Sequence, residues 1–265
     1  MKRAPVRGRK VAPQTRHRAF ILGYHRRLSV SPRFPRPTHI FIDRPVYSYF
    51  NKSLVTPGNG AYKEILGADP VIGKMPELFF PNKLLSKKLQ PLITVDDAIG
   101  DLQGLDVGAS VQEYFNEAQT TFQRIARKGA KKTLLNHNSR YHSKQMMKLI
   151  NLIPEGGDLR DVNQRYWPKS FYSQAYGRLH RHGLARTLTT YFCNPGSGRF
   201  IHPVDNRALT VREAARLQGF QDRFEFLGTQ SDQMRLIGNA VPVPLASALA
   251  KQIWSDIGSL ILTPN

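Results

Sequence analysis

Residues 207–220 read Arg-Ala-Leu-Thr-Val-Arg-Glu-Ala-Ala-Arg-Leu-Gln-Gly-Phe and carry the clearest structural signal in the chain. Thr210 and Glu213 have the spacing of a capping box, in which the two side chains satisfy free backbone N–H groups at the start of a helix. Glycine is the residue type that most readily ends a helix. We therefore predict a helix that begins after Thr210 and ends at Gly219.

Similar signals predict further helices on both sides of this one. The sequence Thr-Val-Asp-Asp at 94–97 predicts a short helix capped by Thr94. Apolar residues at helical spacing predict helices over 110–127 and 139–152. A final helix is predicted after Pro242, since proline favours the first turn. Its apolar stripe consists of Leu245, Ala248, Leu249, Ile253 and Ile257.

Other segments have the composition of strands and loops. The short apolar run from Arg18 to Tyr24 is typical of a buried strand. Residues 29–37 are rich in proline and arginine, which favours an extended connector. From Tyr172 to Arg199, β-prone residues alternate with glycines, so we predict strands and loops there. The sequence thus predicts a chain with both helices and strands.

The charge distribution favours a polyanionic partner. The 265 residues include 39 Lys and Arg against 19 Asp and Glu, a formal charge of +20. Residues 1–42 contain 11 of these basic residues and no acidic one. Basic proteins bind nucleic acid because each neutralised phosphate releases counterions. No apolar run is long enough for a membrane helix, so we expect no membrane partner and a cytoplasmic location, nucleoid-associated in a bacterium.

The side chains offer no self-contained active site. Cys193 lies between strand-like and glycine-rich residues with no base nearby, which predicts a buried or loop thiol rather than a nucleophile. His180, His182 and Cys193 lack a fourth ligand at the spacing of a zinc site, so no metal site is predicted. The glycine clusters form no complete phosphate-binding loop. A single cysteine excludes an intramolecular disulfide.

Four segments in order resemble the DNA cytosine-5 methyltransferases. Residues 13–23 resemble the Q-x-R-x-R block of that family, and 207–220 are similar to its ninth motif. Residues 237–244, Ile-Gly-Asn-Ala-Val-Pro-Val-Pro, look like the tenth motif. Tyr-Gly-Arg-Leu at 176–179, followed by Ala-Arg-Thr-Leu-Thr-Thr-Tyr at 185–191, resembles the end of the target recognition domain. One departure is Gln221, where the family usually has proline.

The resemblance implies an α+β fold in three parts. Residues 1–42 would be a basic head containing the Q-x-R-x-R strand, and 43–200 a mixed α/β target recognition domain. Residues 201–265 would form the ninth and tenth motif helices, which pack back on the catalytic domain. The first and third parts would thus be an incomplete remnant of that domain. The sheet neighbours of the strand and the partner of the final apolar stripe are then expected in the missing part.

The resemblance also implies roles for individual residues. Gln14, Arg16 and Arg18 would approach the flipped cytosine and its phosphates, and Thr187 and Thr189 would bind the DNA backbone. The cofactor pocket for S-adenosylmethionine would be completed by Gly238, Asn239, Ala240 and Val241. Glu213 and Leu217 would belong to a supporting helix. Base contacts depend on three-dimensional pose, so the DNA target sequence does not follow.

The residues that perform methyl transfer in this family have no counterpart in the 265 residues. The family attacks cytosine with the cysteine of a Pro-Cys sequence, steadies the base with the glutamate of Glu-Asn-Val, and holds the cofactor with a glycine-rich loop, all N-terminal to the Q-x-R-x-R block. No Pro-Cys and no Glu-Asn-Val sequence occurs here, and Met1 precedes that block by only some ten residues. We therefore expect a C-terminal subunit or fragment that binds double-stranded DNA, is inactive alone and needs an N-terminal half. A non-catalytic, sequence-specific DNA-binding module is the main alternative. A general RNA-binding protein fits less well, because aromatic base-stacking motifs are absent.

Overall fold

A computed structural model describes residues 2–4, 13–14, 20–35, 39–41, 44–56, 90–131 and 133–261. Within these ranges the chain forms six α-helices and six short strands. The strands occur in pairs, and each pair forms a separate two-stranded sheet. The architecture of the described residues is therefore a mixed α and β fold in which helices and long connections supply most of the core.

The first pair joins β1 (Lys2–Ala4) to β2 (Phe20–Leu22) in antiparallel register, with Arg3 opposite Ile21. Strand β2 confirms a strand at the centre of the predicted segment. The prediction that this strand is buried is wrong, because Ile21 is 56% exposed and its neighbours are only half-buried. The expectation that its sheet neighbours lie in a missing domain is wrong on one side, because β1 belongs to this chain. Residues 29–35 form no helix or strand, as the proline-rich composition predicts.

Two further pairs lie later in the chain. Strands β3 (His39–Phe41) and β6 (Gln90–Pro91) pair in parallel. Strands β4 (Val46–Ser48) and β5 (Ser53–Val55) form an antiparallel hairpin. Isolated parallel bridges join Tyr47 of β4 to Gly183, and Gln14 to Ala185. The segment around 183–185 therefore connects the hairpin to the Q-x-R-x-R block.

The helices are α1 (Val95–Ile99), α2 (Thr121–Arg127), α3 (Lys144–Leu152), α4 (Val211–Leu217), α5 (Gln230–Asn239) and α6 (Val243–Ile261). Short 3-10 turns occur at Arg26–Leu28, Gly100–Leu102, Leu159–Asp161, Gln164–Tyr166 and Pro195–Ser197. Helices α1, α2, α4 and α5 each begin with a capping box led by threonine. These caps satisfy N–H groups that a helix start otherwise leaves free.

The predicted boundaries hold best where a cap was identified. Helices α1 and α4 begin where Thr94 and Thr210 predict, and Gly219 follows α4 with a φ of 79°, a conformation that glycine adopts freely. The prediction for 110–127 is wrong over its first half, because the side chain of Thr120 caps the helix. Similarly, Ser143 caps α3, which therefore begins later than predicted.

Two regions depart further from the sequence prediction. The stretch 172–199 contains turns and isolated bridges, such as Arg178 to Ile201, but no strand. Its backbone forms single hydrogen bonds to other segments, such as that from the N–H of Leu179 to the carbonyl oxygen of Ile201, and arginine side chains add further bonds. Helix α5 was not predicted, although Thr229 and Asp232 carry the same capping signal as Thr210 and Glu213.

The main core lies between α1, α4 and α5 and is closed by the segment 179–200. It contains Val95, Ala98, Ile99, Leu179, Ala185, Leu188, Phe192, Cys193, Phe200, Leu209, Val211, Ala214, Ala215, Leu217, Phe226, Met234 and Ile237. A second cluster packs beneath α3 and includes the predicted core residues Leu149, Ile150 and Ile153. Residues before and after position 200 thus share one core, and the boundary between 200 and 201 stays a prediction.

Helix α6 packs against the N-terminal part of the same chain. Leu245 and Leu249 are buried and contact Phe20, Leu22 and Phe34. The expectation that this apolar stripe awaits a partner domain is therefore wrong for these two leucines. This part of the stripe is covered by β2 and the connector that follows it, whereas Ala248, Ile253 and Ile257 are half-buried. Burial of the two leucines stabilises the fold.

Candidate functional site

Gln14, the first residue of the Q-x-R-x-R block, is buried against the end of α4. Its side-chain Nε2 donates to the carbonyl oxygen of Leu217 at 3.2 Å and to Oε1 of Gln218 at 2.5 Å. Its backbone neighbour Pro13 accepts a hydrogen bond from the N–H of Ala185. Gln14 therefore joins the block to the ninth motif and to the end of the predicted recognition domain. Arg16 and Arg18 lie outside the described residues.

Gln218 connects the ninth motif to the tenth. It is fully buried, and its Nε2 donates to the carbonyl oxygen of Ile237 at 2.8 Å. Its own carbonyl oxygen accepts from the N–H of Val243 at 3.0 Å. One glutamine side chain thus contacts both the first block and the last. Sequence reasoning missed Gln218, because nothing in its spacing distinguishes it from an ordinary residue at the end of a helix.

Gly238 lies where α5 touches the segment that carries the predicted DNA-binding threonines. A Cβ atom at this position would lie 2.5 Å from the carbonyl oxygen of Thr189 and 2.7 Å from Cα of Thr190. Only glycine allows two backbones to approach so closely. The predicted cofactor residues therefore adjoin the predicted DNA contacts directly.

Residues 187–190, here called the threonine segment, are anchored by one side chain, and other side chains of the segment lie near the surface. Leu188 is 1% exposed and belongs to the main core. Thr187 on one side is half-buried, and Thr189 on the other is exposed, with its Oγ1 accepting from the N–H of Tyr191 at 3.3 Å. Hydroxyl and amide groups in such a position can bind a DNA phosphate.

The remaining predicted cofactor residues lie at the end of α5. Asn239 and Val241 are exposed and Ala240 is half-buried, whereas Gly238 is buried. The exposed Asn239 amide can donate and accept hydrogen bonds. These residues fit one edge of a pocket for a polar cofactor, and by themselves they enclose none.

Two buried arginines hold the segment before the threonines. Arg178 donates to the carbonyl oxygens of Ile150, Ile153 and His202. Arg199 donates to the carbonyl oxygens of residues 156, 157 and 178 and to a carboxylate oxygen of Asp158. Together with backbone bonds such as that from the N–H of Leu179 to the carbonyl oxygen of Ile201, they satisfy the polar groups of a segment without regular secondary structure.

The family model for C-5 cytosine-specific DNA methylases matches residues 11–255. The chain belongs to this family. The match contains all four segments that sequence analysis identified, and the structure brings Gln14, Gln218 and Ile237 from three of them into one hydrogen-bonded group.

Two type II methyltransferases are similar to part of this chain. The type II methyltransferase M1.HphI of Haemophilus parahaemolyticus is 38% identical over 126 residues, which cover 47% of this chain and 32% of that protein. The type II methyltransferase M.PspPI of Psychrobacter sp. (strain TA137) is 32% identical over 200 residues, which cover 69% of this chain and 40% of that protein. This methylase-family chain therefore spans less than half the length of either relative.

A solved structure shows the same fold. It is assigned as a prophage-encoded DNA modification methyltransferase (E. coli) and superposes with a TM-score of 0.59 at 20% sequence identity. The superposition covers 97% of this chain and 60% of the other. The likeness at this identity concerns the fold alone.

The ninth motif of this methylase-family chain is held by buried ion pairs. The guanidinium of Arg207 donates to both carboxylate oxygens of Glu213, at 2.7 and 2.9 Å. Arg216 pairs with Asp101 at 2.5 Å and with Asp222 at 2.6 Å. Burial raises the pKa of Glu213, but Arg207 more than offsets this, so that its pKa lies below the ordinary value. These contacts support the interpretation of Glu213 as a structural residue.

Cys193 and His180 both lie in structural contacts. Cys193 is fully buried, which confirms that prediction, and burial raises the pKa of its thiol, so it is not a thiolate. The ring of His180 stacks on that of Tyr47 with centroids 3.9 Å apart. Among the described residues, no group of three or more His, Cys, Asp or Glu is arranged to hold a metal ion. In the same residues, no helix is long and apolar enough to cross a membrane.

Proposed function

We propose that this chain supplies DNA target recognition and part of the cytosine and S-adenosylmethionine pockets of a DNA cytosine-5 methyltransferase. The observation that carries the proposal is the convergence of its blocks. Gln14 contacts Gln218, Gln218 contacts Ile237, and Gly238 touches Thr189. Residues assigned by resemblance to the base, the DNA backbone and the cofactor therefore belong to one continuous site.

The DNA-binding part of the proposal rests on charge and on the threonine segment. The formal charge is +20, and 11 cations lie in residues 1–42, next to and within the Q-x-R-x-R block. Arg16 and Arg18 would bind the extruded cytosine and its phosphates, since a guanidinium donates in a planar fork. Thr187 and Thr189 would hold the backbone of the same strand.

The cofactor part of the proposal rests on the end of α5. S-adenosylmethionine supplies the methyl group when it is bound. Asn239, Ala240 and Val241 would contact one edge of it, while Gly238 allows α5 to lie against the threonine segment. The wall formed by these residues supports binding only together with the part of the family's domain that contains the glycine-rich cofactor loop.

Catalysis would require residues from outside this stretch of sequence. The 265 residues contain one cysteine, Cys193, and it is buried in the main core. No Pro-Cys or Glu-Asn-Val sequence is present. The nucleophile and the glutamate would therefore come from the family segment that lies N-terminal to the Q-x-R-x-R block, on this or a second polypeptide. Methyl transfer to cytosine C5 would occur only when that segment is present.

A methyl-transfer assay tests this proposal. The 265-residue chain alone should transfer no labelled methyl group to DNA, and addition of an N-terminal half that carries the missing motifs should produce transfer. Cys193→Ser should leave the reconstituted activity within about twofold, because the thiol is buried and unactivated.

Two results would contradict the proposal in different ways. Transfer by the chain alone would show that these 265 residues contain a nucleophile. Tight, sequence-specific DNA binding with no transfer in any reconstituted mixture would instead favour the non-catalytic binding module.

A further inference from the structure

Arg186 differs from the other arginines packed around the candidate site. The buried arginines 178, 199, 207, 212 and 216 each donate to carboxylates or carbonyl oxygens. Arg186 is half-buried, yet within the described ranges it makes no side-chain hydrogen bond or ion pair. Its guanidinium carbon lies instead 5.2 Å from the ring centroid of Phe50 and 5.8 Å from that of Tyr49.

The two rings belong to the turn that links β4 to β5. The hydroxyl of Tyr49 accepts a hydrogen bond from the N–H of His180 at 3.0 Å, and its ring meets that of Tyr47 edge-on. Tyr47 is in turn bonded through its N–H to the carbonyl oxygen of His182. Phe50, by contrast, is 56% exposed. The hairpin therefore offers one anchored ring and one exposed ring to the same guanidinium.

Among the residues that the structure describes, no anion pairs with Arg186. Burial lowers the pKa of Arg186, the positive charge of Arg199 lowers it further, and Tyr49 opposes this. An arginine nevertheless stays charged in proteins. Ring faces attract a cation more weakly than a charge-assisted hydrogen bond to an anion does. A half-desolvated guanidinium in this position can therefore donate such a bond to an anion.

We propose that Arg186 binds a phosphate of the DNA backbone and that Phe50 positions its guanidinium. The inference rests on the proposed function, because the DNA would have to reach Thr187, the next residue. Adjacent side chains at 186 and 187 would then contact the same strand. The hairpin 46–55, in which the resemblance assigns no individual residue to DNA, becomes part of the DNA-binding surface.

Salt-dependent binding of the full chain to a DNA duplex tests this inference. R186Q should weaken binding about tenfold and reduce the slope of log affinity against log salt by about one, since one phosphate contact is lost. R186K keeps the charge, so it should keep the slope and lose less affinity. F50L should weaken binding at unchanged slope, and adding F50L to R186Q should cost nothing more.

R124Q is the charge-matched control. Arg124 is exposed and donates to oxygens of residues 118, 119 and 121 around its own helix start. R124Q should change neither affinity nor slope by more than a small amount, and thermal unfolding should show that each variant is folded.

If the wild-type chain binds duplex DNA and R186Q binds with the same affinity and slope, the Arg186 assignment is wrong. If R124Q matches R186Q, the effect is general charge and the assignment is also wrong. If the wild-type chain fails to bind DNA, the proposed function fails first.

Discussion

Glu213 organises the ninth motif through three kinds of contact. Its carboxylate accepts two hydrogen bonds from Arg207 and a third from the N–H of Thr210 at 2.8 Å. It also lies 3.7 Å from Nε2 of the buried His202. Thr210 and Glu213 were identifiable from sequence spacing as a capping box. The pairing with Arg207 was not, because it depends on how the chain turns before the helix.

Replacement of Glu213 tests this residue-scale account. E213Q keeps the shape of the side chain but leaves the buried charge of Arg207 paired with Asp205 alone among the described residues. The free energy of unfolding should therefore fall, by no more than the roughly 3–5 kcal/mol that an unpaired buried charge costs. D232N is the matched control, since Asp232 holds the same position in the exposed capping box of α5 and should have a much smaller effect. Chemical denaturation measures both. Equal losses in the two variants would contradict a special role for the buried pair.

The comparison of wild type with E213Q also gives a pH dependence with a definite sign. The pKa of Glu213 in the folded chain lies below its ordinary value of 4.5. Its contribution to stability is therefore complete above about pH 4.5 and is lost as the pH falls toward the folded-state pKa. The difference in unfolding free energy between wild type and E213Q should shrink on acidification below pH 4.5. A difference that grows there would contradict the pairing.

At the scale of elements, α5 and the threonine segment act as one unit because Gly238 lets their backbones touch. G238A would place a methyl group 2.5 Å from the carbonyl oxygen of Thr189. Such overpacking costs about 1–3 kcal/mol, more than the roughly 1 kcal/mol that alanine gains over glycine within a helix. We expect lower stability and weaker DNA binding, because the threonine segment must shift.

G23A is the control for this substitution. Within the part of the chain that the structure describes, no heavy atom lies within 4 Å of a Cβ at Gly23, so alanine there should change neither property. Thermal unfolding and DNA titration on both variants decide the matter. Wild-type stability and binding in G238A would show that α5 and the threonine segment are not coupled.

Element boundaries were predictable where a local signal sets them. The caps at Thr94 and Thr210 fix α1 and α4, and the cap at Thr229 could have revealed α5. The segment 172–199 was not predictable, because single backbone bonds to other segments and the bonds of Arg178 and Arg199 to distant carbonyl groups hold it. β-prone composition alone does not distinguish such a segment from strands.

At the scale of the whole molecule, the family and the order of its blocks follow from the sequence. The contacts between those blocks in the folded chain do not. Gln14 lies more than two hundred residues from Gln218, and only folding brings the two amides together. The apolar stripe of α6 gives the opposite lesson. Its pattern indicated a buried face correctly, but the partner is Phe20, Leu22 and Phe34 of the same chain. A periodic pattern predicts burial and does not say against what.

The affinity of the full chain for two DNA duplexes tests the central claim most directly. The duplexes have one sequence, and in one of them the target cytosine is unpaired opposite an abasic site, so that it leaves the helix at little cost. The account predicts that wild type prefers this duplex, by about tenfold, and that R18A loses more affinity for it than for the intact duplex. Equal affinity of wild type for both duplexes, or equal losses in R18A, would contradict a cytosine pocket formed with this chain.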